Sequence, residues 1–159
     1  MGEALALLGV SVASALMPLI NLEVYLIGLS ALADDDRLWY LAAVGGLGQL
    51  LGKIVWYYLG ANALRWGWVR KKMENPKAQA KLALWQRRTQ ERPLLGAGLL
   101  VVSGFSGFPP FAIVAVLAGQ LRMNLVVFVV GTFISRTLRF AVFLYAGKEA
   151  FDLLPSLGF

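Results

Sequence analysis

A chain of 159 residues in which 58% are hydrophobic and only 15% charged departs from the soluble norm of about 45–50% apolar and roughly 25% charged, and its mean hydropathy is +0.67. With no cysteine and no histidine, disulfides, thiolate nucleophiles, imidazole bases and the commonest zinc ligands are excluded. No metal, no cofactor and no enzymatic activity is expected.

The first apolar stretch, residues 4–33, is longer than the roughly 20 residues needed to cross a hydrocarbon core as helix. It is interrupted at Met17-Pro18-Leu19-Ile20-Asn21, because proline lacks a donor N–H and clashes with the preceding turn. Ala13-Ser14-Ala15 has the small-residue spacing of a cleavage site, but the residues before it carry Glu3 and no Lys or Arg, the wrong charge for a signal peptide. The segment is expected to stay attached. An acidic turn, Asp34-Asp35-Asp36-Arg37, separates it from the second stretch, 38–64, which has no proline and reads as an ordinary span. Gly45, Gly48 and Gly52 fall on one side of that span, a small-residue face suited to close helix packing.

Residues 65–92 hold nine cations against Glu74 and Glu91, a local net of +7 in a chain whose formal net charge is +6, so the rest of the chain nets −1. A basic block can be a nucleic-acid patch, but between long apolar stretches it is the cytoplasmic marker of the positive-inside rule. The membrane reading is preferred, with no nucleic-acid partner. Trp66, Trp68 and Trp85 bracket the block, so parts of it are expected to lie as helix in the headgroup layer.

The third stretch, 94–121, is broken at Gly104-Phe105-Ser106-Gly107-Phe108-Pro109-Pro110, and the fourth, 123–147, is again unbroken. The order broken, unbroken, basic loop, broken, unbroken duplicates one architecture. Paired interruptions at corresponding positions point to a transporter-type binding site, since non-helical backbone at membrane depth survives only against protein or a water-filled cavity. The expected fold is an all-α integral membrane protein with two re-entrant helical hairpins and two spanning helices. If each half crosses once, the halves form an inverted repeat, and Arg122 lies on the side of the basic loop. One membrane domain, 1–159, then divides into a first repeat 1–64, a basic cytoplasmic loop 65–92, a second repeat 93–147 and a tail 148–159. The hairpin tips are assigned to Pro18 and Asn21, and to Ser106, Pro109 and Pro110.

Charged groups inside membrane spans are costly, so each is a functional candidate. Four occur: Glu23, Lys53, Arg136 and Arg139. One anion faces three cations, and the surplus is what an anionic headgroup would balance. Phosphate suits guanidinium donors, which match its oxygens bidentately. The structural alternative is that Glu23 neutralises one cation while the others bond backbone carbonyls. Other motifs fail. Gly46-x-Gly48 lacks the third glycine of a dinucleotide fingerprint, and Gly104-x-Ser106 has neither the closing glycine nor a histidine to activate Ser106.

The break leading to Glu23, the run Gly48-x-x-x-Gly52-x-x-x-x-Tyr57-x-x-Gly60, and Phe105 to Pro110 followed by Ala118-Gly119-x-x-Arg122-Met123 resemble the DedA family, also called SNARE-associated or VTT-domain membrane proteins, in a short bacterial branch. The resemblance covers roughly 15–147. It implies facing re-entrant hairpins, residence in the bacterial cytoplasmic membrane, and transport or scrambling of lipid phosphates such as undecaprenyl phosphate or phospholipids, often coupled to protons. Family members usually carry an arginine-rich second hairpin, whereas Phe105, Phe108 and Phe111 stand in that neighbourhood here; Arg136 and Arg139 on the next stretch would supply the positive charge. The partners expected are membrane lipids, with a homo-oligomer left open. The competing function is a small proton-coupled exporter of cationic compounds using Glu23, and a third is a non-transporting structural membrane protein.

Overall fold

The computed structural model describes residues 1–17, 21–72, 74–107 and 111–157; Pro18, Pro109 and Pro110 lie outside the described residues. Among those described, the chain is helical without strands. The first stretch forms α1 (Gly2–Leu16) and α2 (Leu22–Ser30), and the second forms α3 (Leu38–Ala61). The basic block contains α4 (Gly67–Lys72) and α5 (Pro76–Glu91). The third stretch forms α6 (Pro93–Ser106) and α7 (Phe111–Gln120), and the fourth α8 (Leu125–Leu153).

The helix ends follow local chemistry. After α1 the backbone turns extended at Met17, and the Asn21 side chain accepts from the backbone N–H groups of Glu23 and Val24 at 3.1 and 3.4 Å, capping α2 as asparagine commonly does. Replacing Asn21 with alanine is expected to cost about 1 kcal/mol. Faster amide exchange at Glu23 and Val24 than in the parent would register it. At the other break, α6 stops at Gly107, whose φ of 79° lies in the left-handed region that glycine enters without a Cβ penalty. Helix α7 ends in a Schellman turn, with Met123 N–H donating to Ala118 O and Arg122 N–H to Gly119 O, each at 3.0 Å. Arg122 takes the left-handed position, φ 50°, where glycine is the usual occupant.

Helices α3 and α8 are apolar and long enough to cross a membrane. Large apolar side chains at Val126, Val130, Ile134, Leu138 and Val142 are exposed and recur every fourth residue along α8, a continuous stripe with no place in water. The other apolar helices have 15, 9, 14 and 10 residues, each short of the roughly 20 a crossing requires. The chain stays helical beyond residue 147. Helix α8 runs on to Leu153 because no helix breaker precedes Pro155, and Lys148 Nζ donates to the Ala33 carbonyl at 2.8 Å.

Two compact units divide the chain: Met1–Gly52 with Phe133–Phe159, and Lys53–Thr132. In the first, Leu7 of α1, Leu26 of α2, Leu38 of α3, and Phe140 and Leu144 of α8 form a buried apolar cluster. Glycines let the helices close on one another. A side chain at Gly48 would meet Ser11 and the Leu8 carbonyl, one at Gly52 would meet Ala15, and one at Gly45 would lie 3.1 Å from the Phe140 ring. Gln49, also buried, donates to the Ser11 carbonyl at 3.1 Å and the Ser14 hydroxyl at 3.3 Å. The small-residue face of α3 thus receives α1.

In the second unit, Tyr57 of α3, Leu100 of α6, Phe111, Val114, Ala115 and Ala118 of α7, and Phe128 of α8 form the core. Here α3 and α7 approach backbone to backbone: a Cβ on Gly60 would strike the Val116 carbonyl, and one on Gly119 the Tyr57 carbonyl. The Tyr57 hydroxyl donates to the Met123 carbonyl at 2.6 Å, satisfying a buried acceptor just past the α7 turn. Tyr57→Phe is expected to lower stability by about 1–3 kcal/mol, the cost of stranding that carbonyl, read as a fall in the thermal midpoint in detergent.

Candidate functional site

Glu23 and Arg139 meet in the first unit although they are 116 positions apart. Arg139 Nε donates to Glu23 Oε1 at 2.7 Å, and an Nη of the same guanidinium donates to the same oxygen. The Asn21 cap sets where Glu23 stands, in the first turn of α2, where the helix dipole favours a negative charge. The guanidinium also lies over the Phe143 ring, 5.2 Å from its centroid, an i,i+4 neighbour on α8. Ring quadrupole and carboxylate together hold a cation that this apolar bundle would otherwise penalise.

Arg136, one turn earlier on the same face of α8, is mostly buried and lies within electrostatic reach of both Arg139 and Glu23. Two guanidiniums and one carboxylate therefore lie close together on this part of the first unit. The side chains of Arg139 and Glu23 retain 15% and 32% of their exposure, so the pair is reachable from outside and not sealed in the core. A compartment of this kind attracts an anion: low dielectric strengthens the attraction, and the guanidinium fork presents its donors in the plane that a phosphate oxygen pair requires. Buried hydroxyls stand nearby in sequence. Ser135 is fully buried, and the Thr137 hydroxyl has no hydrogen-bond partner among the described residues.

Lys53 opens the second unit and is only 6% exposed, so its ammonium is held within protein and not extended to solvent. Ser106, assigned to the second hairpin tip, is exposed and donates back to the Val102 carbonyl at 2.6 Å, closing the last turn of α6. Asn21 caps α2. No cluster of three or more potential metal ligands occurs among the described residues.

Charge alone does not lead to Tyr57, Gly60 and Gly119. They form the α3–α7 crossing, and their only sequence signal is that each belongs to a spaced motif, Tyr57-x-x-Gly60 and Ala118-Gly119-x-x-Arg122-Met123. In three dimensions these two motifs are one contact. The i,i+3 spacing in Tyr57-x-x-Gly60 and Val116-x-x-Gly119 sets each glycine against a carbonyl of the opposite helix.

The family model for the VTT domain matches residues 20–149. It takes in α2 with Glu23, both long helices and the α6–α7 pair. No match was found among curated proteins or solved structures.

Proposed function

Because the chain belongs to the VTT-domain family, the DedA/SNARE-associated group of membrane-associated, transporter-like proteins, we propose that it moves lipid phosphates across the bilayer, as transporter or scramblase, with Glu23, Arg136 and Arg139 forming the headgroup site. The observation that carries this reading is the Glu23–Arg139 ion pair with a second guanidinium, Arg136, one turn away on an apolar, membrane-length helix. An arriving phosphate displaces Glu23 from Arg139 and bridges the two arginines. Departure of the phosphate lets the Glu23–Arg139 ion pair re-form. The cycle breaks no covalent bond, and the protein is not an enzyme.

Two re-entrant hairpins, α1–α2 and α6–α7, belong to the same reading. Their helices are too short to cross singly, and each pair is joined through a break that contains proline. With only α3 and α8 crossing, the halves are inverted, both ends of the basic block lie on the cytoplasmic face and the acidic turn at Asp34–Asp36 lies opposite.

Purified protein in vesicles containing a fluorescent lipid phosphate tests the function. Transbilayer movement well above protein-free vesicles, and weaker for a zwitterionic analogue, is expected. Equal background rates for every anionic lipid would remove this reading, and uptake of a cationic dye driven by a proton gradient would put the exporter in its place. Topology has its own test, since the chain has no native cysteine. Single cysteines at positions 122 and 77 are expected to label from the same side.

A further inference from the structure

Within the second unit, α5 lies over the base of the α6–α7 pair and encloses a cavity of about 550 Å³, in the size range of small-molecule and cofactor sites. Its walls are almost wholly aliphatic. Ala78, Leu82 and Trp85 come from α5, Leu99 from α6, Leu117 from α7, and Leu121 from the turn that follows α7. On α5 the lining positions 78, 81, 82, 85 and 89 follow the i, i+3, i+4 pattern of a single helix face. The Gln86 side chain donates to the Gln120 carbonyl at 2.8 Å, fixing α5 to the end of α7.

The rim is cationic. Lys81 lines the cavity, and Arg88 lies 5.5 Å from the centre of the Trp85 ring. Both cations are exposed, as is about half of Trp85. No residue of α5 is buried, so the helix is a basic amphipathic surface element carrying a tryptophan, the make-up of helices that lie in the headgroup layer. An apolar chamber with cations at its mouth, in a protein with two membrane-length apolar helices, is matched by a molecule with a hydrocarbon tail and an anionic head.

We infer that this cavity seats one acyl chain of an anionic phospholipid, with Lys81 and Arg88 holding its phosphate and Trp85 beside the first carbons of the chain. The site is built from α5, α6, α7 and the turn after α7, and it shares no residue with the Glu23, Arg136 and Arg139 group. It goes beyond the transport reading, because the bound lipid is a resident that anchors α5 to the bilayer and not the cargo.

The test uses the full chain in phosphatidylcholine vesicles, with phosphatidylglycerol or phosphatidylcholine brominated on the acyl chain as quencher. The Trp85 contribution is the difference between the parent and Trp85→Phe. Saturable quenching of Trp85 is expected at a several-fold lower mole fraction of brominated phosphatidylglycerol than of brominated phosphatidylcholine. Each rim cation is expected to contribute up to about fivefold, so Lys81→Gln/Arg88→Gln should abolish the preference. Ala78→Phe, which fills the chamber from the exposed helix, should reduce quenching by both lipids. Equal quenching by the two lipids in the parent, or a preference that survives in the double variant, overturns the inference. So does the absence of Trp85 quenching by either lipid, the outcome if a peptide or a second copy of the chain occupies the cavity. None of these readouts requires lipid movement, so the site and the transport reading fail independently.

Discussion

Arg139→Gln is expected to reduce lipid-phosphate movement by about 10- to 100-fold while leaving folded protein in the membrane. The magnitude follows from losing charge-assisted hydrogen bonds to the headgroup, about 1.5–3 kcal/mol, at 1.4 kcal/mol per tenfold. Glutamine retains hydrogen bonding but not the charge, so Glu23 loses the cation that holds it at 2.7 Å. Arg139→Lys should fall between the two, since an ammonium supplies charge without the planar fork. Glu23→Gln tests the other side of the exchange: without the carboxylate competing for Arg139, phosphate should bind more tightly and leave more slowly. Initial rates in vesicles, normalised to folded protein by size-exclusion profile, decide among these outcomes. Activity falling in step with folded yield would make the pair a structural brace. Undiminished transport in Arg136→Gln, Arg139→Gln and the double variant would exclude both arginines from the mechanism.

Gly119→Ala is expected to be among the most destabilising single-methyl changes in the chain. A Cβ there would overlap the Tyr57 carbonyl and crowd Ala61 N, and both are backbone atoms that cannot rotate aside. Overpacking costs typically 1–3 kcal/mol and occasionally more, and with no flexible neighbour to yield, about 3 kcal/mol or more is expected. Gly60→Ala should behave alike, because its Cβ would meet the Val116 carbonyl. Gly131→Ala supplies the contrast. It too is a buried helical glycine, but its Cβ would sit 3.7 Å from Leu100, an ordinary contact. The gain in helix propensity should raise stability by about 0.5–1 kcal/mol. Thermal midpoints in one detergent, moving in opposite directions for Gly119→Ala and Gly131→Ala, would show that α3 and α7 are held at backbone distance. A similar small shift for both would refute the close crossing.

What could be read from the sequence was whatever depends on short stretches of chain. Apolar length identifies α3 and α8, and the helix breakers place the interruptions that end α1 at Leu16 and α6 at Ser106. The cost of charge in hydrocarbon singles out Glu23, Lys53, Arg136 and Arg139, with no need to know what surrounds them. Tertiary structure alone decided which cation pairs with Glu23. Arg136 and Arg139 share a helix face, and one turn of α8 separates them, so the choice rests on the depth and rotation of α8 against α2, set by packing around Phe140 and Leu144. The same holds for the α3–α7 crossing. A glycine in sequence is only an absent side chain, and what it admits becomes visible when the opposing carbonyls of Tyr57 and Val116 are in place. The chamber under α5 is likewise a property of three helices at once: the basic, amphipathic pattern of α5 is local, but the space that pattern borders exists only because α6 begins and α7 ends beside it.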